Sequence, residues 1–288
     1  MKRKRGDRRD GKLLRNIDSM HYIMPLIFPN RCDNEAYISE TVDLTNVAAY
    51  LEKKNADGPE YKYNLFQVIV TAVLKTITLR PKMNYFITNF NMYERNEVSA
   101  AFTIKKIFAD NGAEGLAFIH TKPEDNINTI HDEIYRQVSF NRTGDNRDAS
   151  TESMDTLQRL PLFMKKSIGR VSRFLDKRGM MPKSMLETDP YQSSVVLSNL
   201  GSIKLHAGYH HLSNWGTTSV MVIIGERKPR LFTNEDGTQE LRDSVDIGLT
   251  IDERIADGYY YSKTVALLLR LFNEPELLEK GLGEPVDD

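Results

Sequence analysis

Between Asn64 and Pro81 the chain reads NLFQVIVTAVLKTITLRP, a helix begun by Asn64, apolar on almost every side and stopped by Pro81. A helix without a polar face has to be buried, so the fold must enclose it. With 288 residues, 33.1 kDa and 40% apolar residues, one large domain or two small ones could do so. No internal repeat or low-complexity linker divides the chain, so the simpler reading is a single domain over residues 15–288, preceded by a basic leader, 1–14.

Around that helix the pattern alternates between two periods. Ala36 to Leu44 alternates apolar and polar like a half-buried strand, and Thr45 is placed to cap a following helix. Short strands are expected at Tyr85 to Ile87, Met92 to Glu94, Val98 to Lys105 and Gly115 to Thr121. Asp125 or Asn126 begins an amphipathic helix with Ile127, Ile130, Ile134 and Val138 on one stripe, and Asn141 to Ser150 reads as a polar loop. Two helices follow, Thr151 to Leu160 and Pro161 to Lys177, within a basic stretch at about 151–186. Strands are then expected at Ser193 to Ser198, Ser219 to Glu226 and Leu241 to Thr250, with a last helix after Gly258. Strands and helices intermix without a regular βαβ repeat, which predicts an α/β protein with a mixed sheet and flanking helices.

Charge narrows the function. Charged residues, 27% of the chain, cancel to a net −1, so no overall field draws the protein to nucleic acid or to membrane, and neither partner is expected. Cys32 is the single cysteine, which excludes an internal disulfide and fits a reducing, cytoplasmic setting. No apolar run approaches the roughly 20 residues that span a bilayer, and no signal peptide follows the basic start. No glycine-rich phosphate loop, G-x-S-x-G elbow or nucleophilic cysteine context occurs. A metal is not expected either: His206 and His210 would need a helix that Gly201, Gly208 and Gly216 oppose. The helix LPLFMKKSIGRVSRFLDKRG carries Leu160, Met164, Ile168, Val171 and Leu175 on one stripe and Lys165, Lys166, Arg170, Arg173 and Lys177 elsewhere. It could lie on an anionic membrane or bind the phosphates of coenzyme A, but packing of its stripe on the domain is the expected reading.

Several segments, in order, resemble the chloramphenicol acetyltransferase and dihydrolipoyl acyltransferase superfamily. These are EAYISETVDLTNVAAYLEKKN, the buried helix with its Pro and Asn, YERNEVSAAFTIKK, SSVVLSNLGSI, TTSVMVIIGE and VDIGLTIDERIADG. Together they cover roughly Arg15 to Leu278. The resemblance implies a chloramphenicol acetyltransferase-like fold and a homotrimer. It also implies transfer of an acyl group from acyl-CoA, a substrate and not a bound cofactor, to a thiol, hydroxyl or amine acceptor. With no lipoyl-bearing or subunit-binding segment in the sequence, the chain looks like a free-standing catalytic domain.

In that superfamily a His-x-x-x-Asp-Gly motif supplies the base. Here Glu253 stands at the His position before Asp257 and Gly258. The resemblance makes Ser198 the oxyanion donor, Asp257 a structural ion-pair residue with Arg15 as its partner, and Gly258 the turn into the last helix. Asn199, Trp215 and Tyr259 become candidates for lining the substrate space. Three readings of the exchange stay open. Glu253 could act as base if burial raised its pKa from about 4.3 to about 6 or 7. His210 or His211, of which at most one should face a channel if the backbone is extended, could replace the missing His. Alternatively, catalysis is lost and Glu253 pairs with Arg254 or Lys263, leaving an acyl-CoA-binding or assembly module.

Overall fold

The protein is described by a computed structural model in which residues 3–105, 114–143 and 149–286 are placed. Along the chain run β1 (Gly11–Leu13), α1 (Ser19–Ile27), β2 (Glu35–Asp43), α2 (Thr45–Lys54), α3 (Leu65–Leu79), β3 (Tyr85–Thr88) and β4 (Asn91–Arg95). They are followed by β5 (Val98–Lys105), β6 (Glu114–Thr121), α4 (Ile127–Arg142), α5 (Ala149–Gln158), α6 (Leu162–Lys177) and α7 (Lys183–Thr188). β7 (Val195–Asn199), β8 (Val220–Thr233), β9 (Gln239–Asp252) and α8 (Gly258–Asn273) complete the order. Part of the segment expected to be a polar loop, residues 144–148, lies outside the described residues, as does Lys2 of the leader.

The main sheet has the strand order β2-β9-β8-β7-β5-β6. It is mixed: β7 runs parallel to both neighbours, and the other pairs are antiparallel. One face carries Val220, Val222, Ile224, Ile247, Leu249 and Ile251 at the period-two spacing of a strand, and these join the core cluster formed with α3 and α8. The all-round apolar α3 is enclosed as expected. Asn64 caps it in a reciprocal box with Gln67, and even Lys75 is buried, its Nζ donating to the Gly281 carbonyl at 2.5 Å.

A smaller sheet, β1-β4-β3, uses the end of the leader. Arg8 is buried there over the stacked rings of Phe86 and Tyr93, at 5.4 and 5.8 Å from their centroids. The expected cap at Thr45 is corrected: Thr45 is the first helical residue, and Asp43 Oδ1 accepts from its N–H at 2.9 Å. The expected packing of the α6 stripe holds only in part, with Leu160 and Leu175 half-buried. Met164, Ile168 and Val171 are exposed, and among the described residues of α6 only Asp176 is buried. No helix among the described residues is long and apolar enough to cross a membrane.

Candidate active site

β7 delivers Ser198 and Asn199 to the end of a central strand, where the chain must turn away. Asn199 closes that turn, its Oδ1 accepting from the Ser202 N–H at 3.3 Å while Ser202 Oγ donates to the Asn199 carbonyl at 2.8 Å. Gly201 follows because the turn presses on β8: a Cβ there would sit 2.4 Å from the Gly225 carbonyl oxygen. Ser198 is thereby held half-buried in a cleft of about 360 Å³.

That cleft has two chemical halves. Phe66, Phe102 and Val138 form an apolar wall, with the two rings edge to face at 5.1 Å, and Lys105 and Arg142 bring positive charge to the lining. Among the described residues the Ser198 hydroxyl has no hydrogen-bond partner, so its proton is available to a ligand oxygen. Sequence reading had found Ser198 and Asn199 but none of these wall residues. Phe66 and Val138 belong to helices expected to bury apolar faces and Phe102 to an expected short strand, so none of the three stands out as a site residue.

Glu253 is elsewhere. Ser198 is level with Ile223 and Gly248 across β8 and β9, whereas Ile251, two residues before Glu253, is level with Val220 and Val195. Five residues of strand from Gly248 to Glu253, and two strand spacings, put the pair roughly 20 Å apart within one chain. Glu253 is exposed at the opposite end of the sheet, and its N–H donates to the Asn34 carbonyl at 2.8 Å. The desolvation that would strengthen it as a base is therefore not supplied within one copy.

His210 and His211 lie at this same end. Their loop crosses the sheet so closely that a Cβ on Gly248 would fall 2.1 Å from the Gly208 carbonyl oxygen. It then docks through the Leu212 N–H onto the carboxylate of Glu35, the strand partner of Asp252. The expectation that the two imidazoles point apart is corrected: both are exposed and their centroids are 4.6 Å apart, because this loop is not an extended strand. Nδ1 of His210 is 2.9 Å from the His211 carbonyl and Nδ1 of His211 is 3.2 Å from the Leu212 carbonyl. A carbonyl only accepts, so each contact places the proton on Nδ1 and leaves Nε2 as the basic nitrogen.

Beneath Glu253 is an ionic cluster that sequence reading missed. Asp252 is fully buried and accepts from Arg254 Nε at 2.8 Å and Nη2 at 2.7 Å, with Arg31 Nε 3.5 Å away. Desolvation pulls the Arg31 pKa down, although Asp252 opposes that shift. Arg31 also donates to the Ser213, Gly216 and Ile87 carbonyls, and Arg254 to that of Phe28. The alternation of β9 puts Asp252 on the face opposite Ile247, Leu249 and Ile251, so nothing in the pattern marks it as buried; both faces of the strand are covered at this end.

Other predicted partners are corrected in place. Arg15 engages Asp7 at 2.9 Å, because the leader folds back on itself. Asp257 instead caps α8, accepting from the Tyr260 N–H at 2.8 Å, and that bond is the main reason its pKa is lowered. Gly258 is the first residue of α8. Arg254 serves Asp252, and Lys263 lies over the ring of Tyr259, so neither is the expected partner of Glu253. Tyr259 is exposed, whereas Tyr261 turns inward, its hydroxyl donating to the Asp252 carbonyl at 3.1 Å. Trp215 is half-buried and donates to Asp189 at 2.6 Å, away from the Ser198 cleft.

No family model matches the chain, and no curated protein matches it. Solved structures do. A probable dihydrolipoamide acetyltransferase from Listeria monocytogenes superposes with a TM-score of 0.59 at 15% identity, over 91% of this chain and 94% of that one. The dihydrolipoamide acetyltransferase of Azotobacter vinelandii, for which a serine, a histidine and an asparagine have been studied in the catalytic mechanism, gives 0.58 at 12% identity, over 93% and 94%. A chloramphenicol acetyltransferase gives 0.57 at 14% identity, over 91% and 99%. The chain therefore has the chloramphenicol acetyltransferase-like fold, as its motifs implied.

Proposed function

We propose that the protein is a CoA-dependent acyltransferase, assembled as a homotrimer, whose active centre forms between copies. The observation that carries this reading is the cleft at Ser198: an unpartnered hydroxyl between an apolar wall suited to an acyl-pantetheine chain and cationic residues suited to phosphate. The sheet end of a second copy, bearing Glu253 with His210 and His211, supplies the proton acceptor. That arrangement reconciles a serine and a base held roughly 20 Å apart in one chain with chemistry that needs them within hydrogen-bond reach of one substrate.

In this mechanism the acceptor's S–H, O–H or N–H gives its proton to the base, and its lone pair attacks the thioester carbonyl. Ser198 donates to the oxyanion of the tetrahedral intermediate. Collapse breaks the C–S bond, and the departing thiolate of CoA recovers the proton from the base. Glu253 holds the motif position of the base and becomes desolvated when a second copy covers it. His211 or His210 is the second reading, favoured by the pinned Nδ1 protons that leave each Nε2 free to accept.

The test is release of CoA thiol from acetyl-CoA with a panel of thiol, amine and hydroxyl acceptors, alongside thermal unfolding with millimolar CoA. Turnover that falls in Ser198→Ala supports the enzyme. Stabilisation by CoA without turnover would indicate the catalytically degenerate, acyl-CoA-binding alternative. Neither stabilisation nor turnover would remove both.

A further inference from the structure

We propose that α6 is a docking helix for an anionic lipid surface, a role independent of the acyl-transfer reading. The helix leaves much of its apolar arc uncovered: Phe163 is 70% exposed, Val171 57% and Phe174 51%, and Met164 and Ile168 are exposed beside them, while Leu175 is half-buried at the inner edge. A monomeric soluble surface rarely gathers so many large apolar side chains in one strip. The strip is also anchored at one end. Arg8 clamps the carboxyl-terminal end, its Nη2 donating to Asp176 Oδ1 at 3.2 Å, and Gln192 Nε2 donates to the same oxygen at 3.2 Å.

Charge selects the occupant. Lys165, Lys166, Arg170, Arg173 and Lys177 are the cations of α6, and its one acid, Asp176, is consumed by Arg8. A chain of net charge −1 thus presents an acid-free cationic helix edge alongside the apolar arc. At 100° per residue, Lys166, Arg170, Arg173 and Lys177 share one side of the helix, while Phe163, Met164, Ile168, Val171 and Phe174 share the adjoining one. A helix lying in the membrane interface has this layout, with apolar side chains entering the acyl boundary and cations meeting anionic headgroups. A second copy fits less well, because interface cores are depleted in charge and two such rows would repel. Nucleic acid would satisfy the cations and leave Phe163, Val171 and Phe174 uncovered.

Flotation of the full chain with vesicles of 30% phosphatidylserine in phosphatidylcholine tests this, against pure phosphatidylcholine vesicles. The bound fraction should be at least about tenfold greater with phosphatidylserine, and should fall when salt is raised to about 0.5 M. It should be lost in Lys166→Glu/Arg170→Glu/Arg173→Glu and in Phe163→Ser/Phe174→Ser, whose side chains are exposed and whose thermal transitions should match the parent's. The single change Phe163→Ser should weaken binding partly, which keeps the apolar contribution measurable if a multiple variant misfolds. Absence of binding to phosphatidylserine vesicles would overturn the proposal. So would binding indifferent to Phe163→Ser, which would mean adsorption by charge alone. A drop in oligomeric mass on sedimentation of Phe163→Ser/Phe174→Ser would assign the strip to contact between copies instead.

Discussion

Arg254 grips the carboxylate of Asp252 with two hydrogen bonds, 2.8 and 2.7 Å long, at a point where neither side chain reaches solvent. The two residues flank Glu253, so the exposed carboxylate rides on a turn fixed from below. Through Arg31 the same cluster reaches the loop beyond His211 and the end of β3. The superfamily resemblance implied a structural ion pair at Asp257, and this chain builds its buried ion pair at Asp252.

Asp252→Asn should therefore be strongly destabilising. It leaves Arg254 and Arg31 buried without a counter-charge, which costs about 3–5 kcal/mol when one partner of a buried pair is removed. Urea unfolding followed by circular dichroism measures this. A loss below about 1 kcal/mol would mean that the cluster is solvated in a way its burial does not suggest.

Much of the fold was legible because it depends on local periodicity. The alternation of β2, β5 and β9 and the all-round apolar run of α3 dictate what they pack against before any tertiary information is added. Three elements were not: β1 is three residues long, α7 only six, and α1 contains Pro25 and exposes Met20, Tyr22 and Leu26, so none presents a clean period. At the site, Ser198 and Asn199 were found because they are contiguous in the sequence. Phe66, Phe102, Val138 and Arg142 were not, because they come from α3, β5 and α4 and meet only when those elements pack. The direction of the α6 stripe was equally hidden, since periodicity shows that a helix has an apolar side and not where that side points.

Gly201→Ala should disturb the Ser198 cleft at its hinge. The added methyl would meet the Gly225 carbonyl oxygen at 2.4 Å, a backbone atom that cannot rotate away, so β7 and β8 must separate at their ends. A loss of about 1–3 kcal/mol is expected for such overpacking, and thermal unfolding reads it. Any stabilisation by CoA should weaken in parallel. Gly58→Ser serves as a control for glycine replacement: its Cβ meets nothing within 4 Å, and its φ of +65° confines the penalty to local backbone strain.

His120 and Glu97 should give stability a small, signed pH dependence. The hydrogen bond between them, 2.9 Å long, is the main cause that raises the His120 pKa from 6.5 and lowers that of Glu97 from 4.5. A raised histidine contributes below about 6.5 and loses its contribution as pH climbs through the folded value. A lowered glutamate contributes above about 4.5 and loses it as pH falls through its own. The pair is thus worth most between about pH 5 and 6.5, and less than about 1 kcal/mol given its exposure. His120→Gln should cost stability at pH 6 and almost none at pH 9. Equal losses at both values would assign His120 a packing role, such as its ring contact with Phe118 at 4.7 Å.

An active centre shared between copies makes a prediction that no single-chain site can mimic. Ser198→Ala removes the oxyanion donor and should lower kcat by about 10²–10³ with little change in KM, because the hydroxyl acts on charge that appears only in the transition state. Glu253→Gln should lower turnover by about 10²–10⁴ if Glu253 is the base; if that variant stays active, the same comparison passes to His211→Ala. Neither side chain is buried in one copy, so both variants should fold. When the two inactive variants are co-expressed in equal amounts, a site is intact only if its serine and its base each come from the undamaged source. Random assembly of a cyclic trimer then restores about a quarter of wild-type activity. Mixing the proteins after separate purification should restore activity only as fast as subunits exchange. Recovery near a quarter requires Ser198 and the base to belong to different chains. No recovery from a co-expressed mixture shown to contain hybrid oligomers would mean that the serine and its base act from the same chain.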